Sequence, residues 1–198
     1  MFTVREGGKK LALFGAVGIG FTIISLVLFA AYLLKGAPDI YDHPIPFCEG
    51  KNSAIKGEYL SFEQLPSTTL SLLKVAEPNI NRGVVGTLES QMKHDGEGEA
   101  LWHLRGGVMT IWIRQYNESD LIAYYLNKVY FGEGCYGIDA AAKAYFKKDI
   151  SLLTLEETAE LFAMLKSPSG YSIIDHPDRN KERANSFIKE INDRAKSN

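Results

Sequence analysis

Twenty-four consecutive residues without a charge, Leu11 to Leu34 (LALFGAVGIGFTIISLVLFAAYLL), constrain this chain more than any other feature. At ~1.5 Å per residue a helix of that length reaches ~36 Å, enough to cross a hydrocarbon core of ~30 Å. A cleaved signal peptide is the competing reading. Its apolar region runs only ~7–15 residues and a small-x-small cleavage site follows it. No clean site of that kind follows here, so a retained single-pass anchor is expected. Arg5, Lys9 and Lys10 precede the stretch, whereas Lys35 is soon followed by Asp39 and Asp42. Positive charge stays on the cytoplasmic side, so the N-terminus is expected in the cytoplasm and the remainder on the outer face of the membrane.

The rest of the 198 residues suits one modest domain, and a net charge of -2 gives no electrostatic reason to expect nucleic acid as partner. Cys48 and Cys135 are too few for a disulfide framework or a zinc site. They pair only in an oxidising compartment, and two unpaired thiols are the expectation. Residues 1–35 read as cytoplasmic N-terminus and anchor. Residues 36–57, with Pro38, Pro44 and Pro46, read as a linker. Residues 58–198 read as a mainly α domain of six or seven helices. Pro66 suits the start of a helix, and Pro78 ends it at Glu77. Asn117 is placed to cap the helix carrying Leu121, Ile122, Tyr125, Leu126 and Val129. Gly132, Gly134 and Gly137 break that helix in a turn. Thr154 and Glu157 form a capping box, and Pro177 opens the last helix. Between Ile80 and Gly107 glycine and charge dominate, the helical signal is poor, and a mobile segment is expected.

Glu77 is the carboxylate best placed for acid–base work. It shares a face with Leu70 and Leu73 at the C-terminal end of its helix, where the dipole and partial burial both disfavour the charged form. Such a group accepts a proton readily. Ser53-x-x-Lys56 and Ser71-x-x-Lys74 fit the active-serine pattern of transpeptidases, but a partnering Lys-Thr-Gly is missing and both read as chance. His43, His94, His103 and His176 have no metal-ligand spacing.

The run from Tyr116 to Pro168 contains Tyr125-Leu126-Asn127, Tyr130, Gly132, Gly137, Ala140 to Ala142, Tyr145, Phe146, Lys148, Leu155, Glu157 and Ala159. In that order these residues resemble the C-terminal half of the bacterial peptidoglycan glycosyltransferase domain, found in class A penicillin-binding proteins and monofunctional transglycosylases. The resemblance implies a lysozyme-like helical domain that polymerises lipid II into glycan strands. It also implies membrane contact, cell-wall synthesis proteins as further partners, no organic cofactor, and a divalent magnesium or manganese ion beside the diphosphate. Residues Glu58 to Pro78 resemble the family's lead-in to its first motif and put Glu77 on the catalytic Glu. Gly86 to Met92 correspond to a Ser-Thr-Ile-Thr-Gln-Gln-Leu-like motif, with Thr87 and Gln91 matching in type. The implied substrate-binding set is Thr87, Gln91, Arg105, Tyr125, Asn127, Tyr130 and Gly132.

The upstream half departs from the family. Pro78 replaces the Asp that follows the catalytic Glu, and the next aromatic, histidine and glycine positions are replaced by Asn79 to Gly83. The second acid of the family falls near Arg105 or Gly106, with Glu97 and Glu99 as substitutes only if the register shifts. Ala123 stands where a further Glu is expected. These departures define the rival reading, a catalytically impaired homologue that binds or scaffolds.

Overall fold

The computed structural model describes residues 22–43, 45–49, 54–92 and 98–197. Positions 11–21 of the uncharged stretch lie outside the described residues, whereas 22–33 form helix α1. Ile23, Ile24, Leu26, Val27 and Leu28 on α1 are exposed, and Leu33 at its end is buried. Among the described residues no helix is long and apolar enough to cross a membrane.

The mainly helical domain follows in α2 (Ser67–Ala76), α3 (Ile80–Gln91), α4 (Glu99–Trp112), α5 (Glu118–Lys128), α6 (Ile138–Phe146), α7 (Leu155–Met164) and α8 (Pro177–Ser197). Sequence and structure agree where local signals are strong. The first helix ends at Ala76 with Glu77 as its cap, the Thr154–Glu157 capping box forms, and Pro177 is the first residue of α8. Asn117 does occupy the N-cap of α5, but its side chain donates to Asp120 Oδ2 at 3.4 Å and accepts no cap hydrogen bond.

Helix α5 organises the core. Leu121 through Asn127 are buried without interruption, so this helix faces protein on every side. It packs against α3 and α6, α3 in turn meets α4, and α2, α7 and α8 pack against one another. Leu72, Leu88, Met109, Tyr124, Phe131, Phe162 and Ile138 close the interior.

Two expectations are corrected. The segment from Ile80 to Gly107 is helical on both sides of 93–97, which lie outside the described residues along with His94 and Glu97. The Asn79 side chain accepts from the Arg82 N–H at 3.2 Å and starts α3. Val84, Val85 and Leu88 are then buried, and that packing outweighs the cost of Gly83 and Gly86, about 1 kcal/mol each. Residues 36–57 contain more than a linker. Strands β1 (Phe47–Glu49) and β2 (Ala54–Lys56) form an antiparallel sheet with β3 (Cys135–Tyr136), in the order β2-β1-β3. Strands of two or three residues are too short to show a period-2 pattern, and β3 lies far along the chain.

The sheet brings the cysteines together. Cys48 stands opposite Cys135 in register, and the two form a disulfide in place of the expected free thiols. Gly137 follows at φ 84°, where an added Cβ would lie 2.5 Å from Pro46 Cβ and 2.6 Å from Asn127 O. Only glycine fits that crossing.

Two buried side chains fasten the chain entering the domain. Asn127 accepts from the Leu60 N–H at 3.0 Å and donates to Leu60 O at 2.8 Å and to Ala123 O at 2.7 Å. Asp139 accepts from the Glu58 N–H and from Lys143 Nζ, both at 2.8 Å.

Two stability predictions follow from these fastenings. Asn127→Ala leaves both backbone groups of Leu60 without their partner and is expected to cost ~2–4 kcal/mol, read from urea unfolding of the detergent-solubilised chain. Replacing Cys48 and Cys135 by Ala, or reducing the disulfide, frees an 87-residue separation in the unfolded chain and is expected to cost ~2–5 kcal/mol in the same assay.

Candidate active site

Helix α2 ends because Glu77 leaves helical geometry, with φ -133° and ψ 73°, ahead of Pro78. Its N–H still donates to Leu73 O at 2.8 Å, which fixes the backbone, and the residue is only 9% exposed. Lys166 Nζ, from the turn after α7, lies 4.0 Å from Glu77 Oε1. Tyr125 reaches the same place from α5. Burial pushes its hydroxyl pKa up, and the nearby Glu77 charge pushes it in the same direction.

Gly83 lets α3 close over this pair. A Cβ there would stand 2.9 Å from Tyr125 Cε2 and 3.2 Å from Glu77 Cγ. The result is a cleft of about 290 Å³ with Glu77, Arg82, Thr87, Tyr125, Lys128 and Tyr130 in its lining. Among the described residues Glu77 is the one carboxylate in that lining, which also holds the cations Arg82 and Lys128. One buried base beside two exposed or half-buried cations can accept a proton from a neutral hydroxyl and hold an anionic group.

The structure sorts the residues expected from sequence. Glu77, Thr87, Tyr125 and Tyr130 line the cleft. Thr87 donates its hydroxyl to Gly83 O at 2.9 Å, leaving its lone pairs to the cleft. Gln91 donates to Thr87 O at 3.0 Å and to Tyr124 Oη at 2.9 Å, and it lines an adjoining groove. Burial, the largest influence, leaves the Tyr124 hydroxyl pushed up to about 12. Asn127 also borders the groove, but its side chain is spent on Leu60 and Ala123. Gly132 sits in a turn at φ 85°, against Met164 and Pro168. Arg105 is brought elsewhere. It is buried, donates Nε to Leu33 O at 3.0 Å at the end of α1, and lies against the Trp102 ring.

Of the substitute acids considered in sequence, Glu99 is the one among the described residues, and it does not line the cleft. Glu99 is exposed and pairs with His103 at 3.8 Å. A different carboxylate occupies the space near Gly106. Glu89 of α3 would lie 2.5 Å from a Cβ at Gly106, so the missing side chain on α4 makes room for it. Burial raises the Glu89 pKa against the opposing pull of His103 and Arg105. Arg82, Lys128 and Lys166 also escaped the sequence reading. Lys128 directly follows the Tyr-Leu-Asn run and Lys166 precedes Ser167-Pro168, which were the available signals.

Among the described residues a magnesium or manganese ion finds no protein-built cage. Among the described residues no group of three His, Cys, Asp or Glu side chains could hold a metal, and the cleft offers one carboxylate. The described donors do not enclose an ion by themselves, and the steps assigned to this chain's residues do not involve one.

Residues 104–192 match the transglycosylase family model. That stretch, from within α4 into α8, is similar to the transglycosylase family, and Glu77 and all of α3 lie outside it. The chain is similar to penicillin-binding protein 1F of Bacillus subtilis (strain 168), at 49% identity over 80 residues, 40% of this chain and 11% of that protein. Penicillin-binding protein 1A of Aquifex aeolicus (strain VF5) is 38% identical over 78 residues, 39% of this chain and 11% of its own length. Penicillin-binding protein 2D of Bacillus subtilis (strain 168) is 35% identical over 99 residues, 50% of this chain and 14% of its own length. The chain thus spans a small part of these curated relatives. The resemblance seen from Tyr116 onward is thereby shown.

The position of Glu89 sets a pH prediction. Its folded-state pKa is raised above the ordinary 4.5, so the stability it contributes is present below the ordinary carboxylate range and lost as pH rises through the folded value. Glu89→Gln is therefore expected to raise the melting temperature at pH 7 and to lose that advantage near pH 4. Melts across pH 4–8 check this.

Proposed function

We propose that this chain is a membrane-anchored, lysozyme-like peptidoglycan glycosyltransferase that polymerises lipid II into glycan strands. The observation that carries the reading is Glu77, a buried carboxylate in a cleft that also holds cations, next to a stretch similar to the transglycosylase family. In the reaction, Glu77 takes the proton of the acceptor sugar's hydroxyl. The oxygen attacks the donor's anomeric carbon, and the bond from that carbon to the diphosphate breaks. The electron pair leaves with the undecaprenyl diphosphate, whose charge faces Arg82 and Lys128. Lys166 lies close enough to Glu77 to hold the ionised carboxylate in position before transfer.

Anchoring in the cytoplasmic membrane, with the domain on its outer face, fits the uncharged stretch and the exposed apolar residues of α1. Leu104 and Ile111 of α4 are also exposed, and Arg105 ties α4 to the end of α1. A lipid-borne substrate is then reached at the membrane surface. Other cell-wall synthesis proteins remain natural partners for such a domain.

A second reading, a lipid II-binding or scaffolding module without turnover, is favoured by one observation. Arg105 stands where the resemblance puts a second acid, and its side chain is committed to Leu33. The deciding experiment is polymerisation of labelled lipid II by the detergent-purified full-length chain, with magnesium or manganese, beside Glu77→Gln. Glycan product from the wild type is expected, falling ~10²–10⁴-fold in Glu77→Gln while lipid II binding persists. A folded wild type that binds lipid II but forms no product establishes the module.

A further inference from the structure

The two cysteines join parts of the molecule with different roles. Cys48 belongs to β1, in the chain entering the domain, and Cys135 to β3, in the turn after α5. Residues on both sides of that turn line the candidate cleft: Lys128, Val129 and Tyr130 before it and Tyr136 after it. One wall of the cleft is therefore a loop, whereas Glu77 is set by the end of α2 and Thr87 by α3.

That loop is unfavourable to hold. Gly132, Glu133 and Gly134 stand in succession at φ 85°, 48° and 71°, and Gly137 follows at 84°. Glu133 carries a Cβ, so its left-handed backbone relaxes unless its surroundings oppose it. The fastenings to hand are short. Tyr130 bridges to Tyr136, the Cys135 N–H donates to Gly132 O at 2.8 Å, and the Glu49 N–H donates to Gly134 O at 3.1 Å. Strand β1 meets β3 over two residue pairs, Phe47 with Tyr136 and Cys48 with Cys135. A pairing of that length is marginal by itself. The disulfide lies within it, one residue from Tyr136, and ties the turn covalently to β1. The helices do not depend on this tie in the same way: α5 packs on α3 and α6, and α2, α7 and α8 pack against one another.

We propose that the Cys48–Cys135 disulfide is a redox-controlled positioning element of the cleft. Oxidised, it holds the wall that carries Lys128, Tyr130 and Tyr136. Reduced, the helical core persists, that wall loosens, and turnover falls. The reductant is a dithiol. One of its thiolates attacks a sulfur of the bridge, and the other sulfur leaves as a thiolate and takes up a proton. The second thiol of the reductant resolves the mixed disulfide, so two cysteine thiols form here and one disulfide forms in the reductant. Both cysteines are 2% exposed, so the exchange proceeds when β1 lifts from β3. An oxidising compartment keeps the bridge closed. The proposal rests on the glycosyltransferase reading for its rate readout and on the fold alone for its structural one.

The test compares the full-length chain in detergent, oxidised or reduced with dithiothreitol, with the Cys48→Ala/Cys135→Ala double variant. All measurements are made well below the melting temperature of each. Far-UV circular dichroism and the Tyr124 ring resonances report the core, and the Tyr130 and Tyr136 ring resonances report the wall. In the reduced chain and the double variant, the helical signal and Tyr124 are expected to stay unchanged while Tyr130 and Tyr136 shift. Their kcat for lipid II polymerisation is expected to fall about tenfold. Reoxidation restores both readouts in the wild type and neither in the double variant. Leu161→Ala opens a cavity in the buried side of α7 and keeps the disulfide, so it is the destabilised control and is expected to turn over as wild type does. Unchanged kcat on reduction, loss of the helical signal together with activity, or an equal fall in Leu161→Ala overturns the proposal. If the oxidised wild type makes no glycan, the glycosyltransferase reading falls and the resonances still decide. Shifts at Tyr130 and Tyr136 without one at Tyr124 then support the positioning role, and unmoved resonances overturn it.

Discussion

The burial of α5 on every face is the constraint from which the rest of the molecule is hung. A helix with no solvent side must find a partner for each of its polar groups, and each partner places another part of the domain. Asn127 takes the backbone of Leu60 and so fixes how the chain enters the domain. Tyr124 takes the Gln91 amide and so fixes the end of α3. Tyr125 finds Glu77 nearby and leaves room for α3 to approach only at Gly83. The cleft is the space left when these requirements are met together.

The same logic separates the packed helices from the polar cleft. Packing around α5, α6 and α7 uses small and apolar residues, such as Ala140 to Ala142, Ala159 and Phe162, that have no part in proton transfer. The proposed chemistry depends on a few side chains from α2, α3 and α5. Arg105, anchored on Leu33, lies outside the cleft lining. Fold and function are separable because they reside in different atoms.

Much of the fold was legible where one residue's local chemistry decides the outcome. Pro78 stops α2, Thr154 and Glu157 cap α7, and Pro177 starts α8, all without help from distant residues. The site was legible in part. Glu77, Thr87, Tyr125 and Tyr130 do share the cleft, whereas Asn127 and Gly132 are structural and Arg105 is turned away. A side chain's type can be read from the sequence, but its direction depends on the crossing of two helices.

The sequence by itself determined the uncharged N-terminal stretch, the helical character of the domain and the carboxylate at the end of α2. These follow from composition, period and capping over short windows. Only the tertiary structure decided that 80–107 carries two helices, that 36–57 supplies strands and that Cys48 meets Cys135. Each of those depends on contacts between residues far apart in the chain. Helix α3 is stabilised by burial against α5 despite its glycines, and β1 by a two-residue partner that no local pattern announces. Propensity acts over a few residues, whereas burial and pairing act across the whole fold, and here the longer-range interactions prevailed.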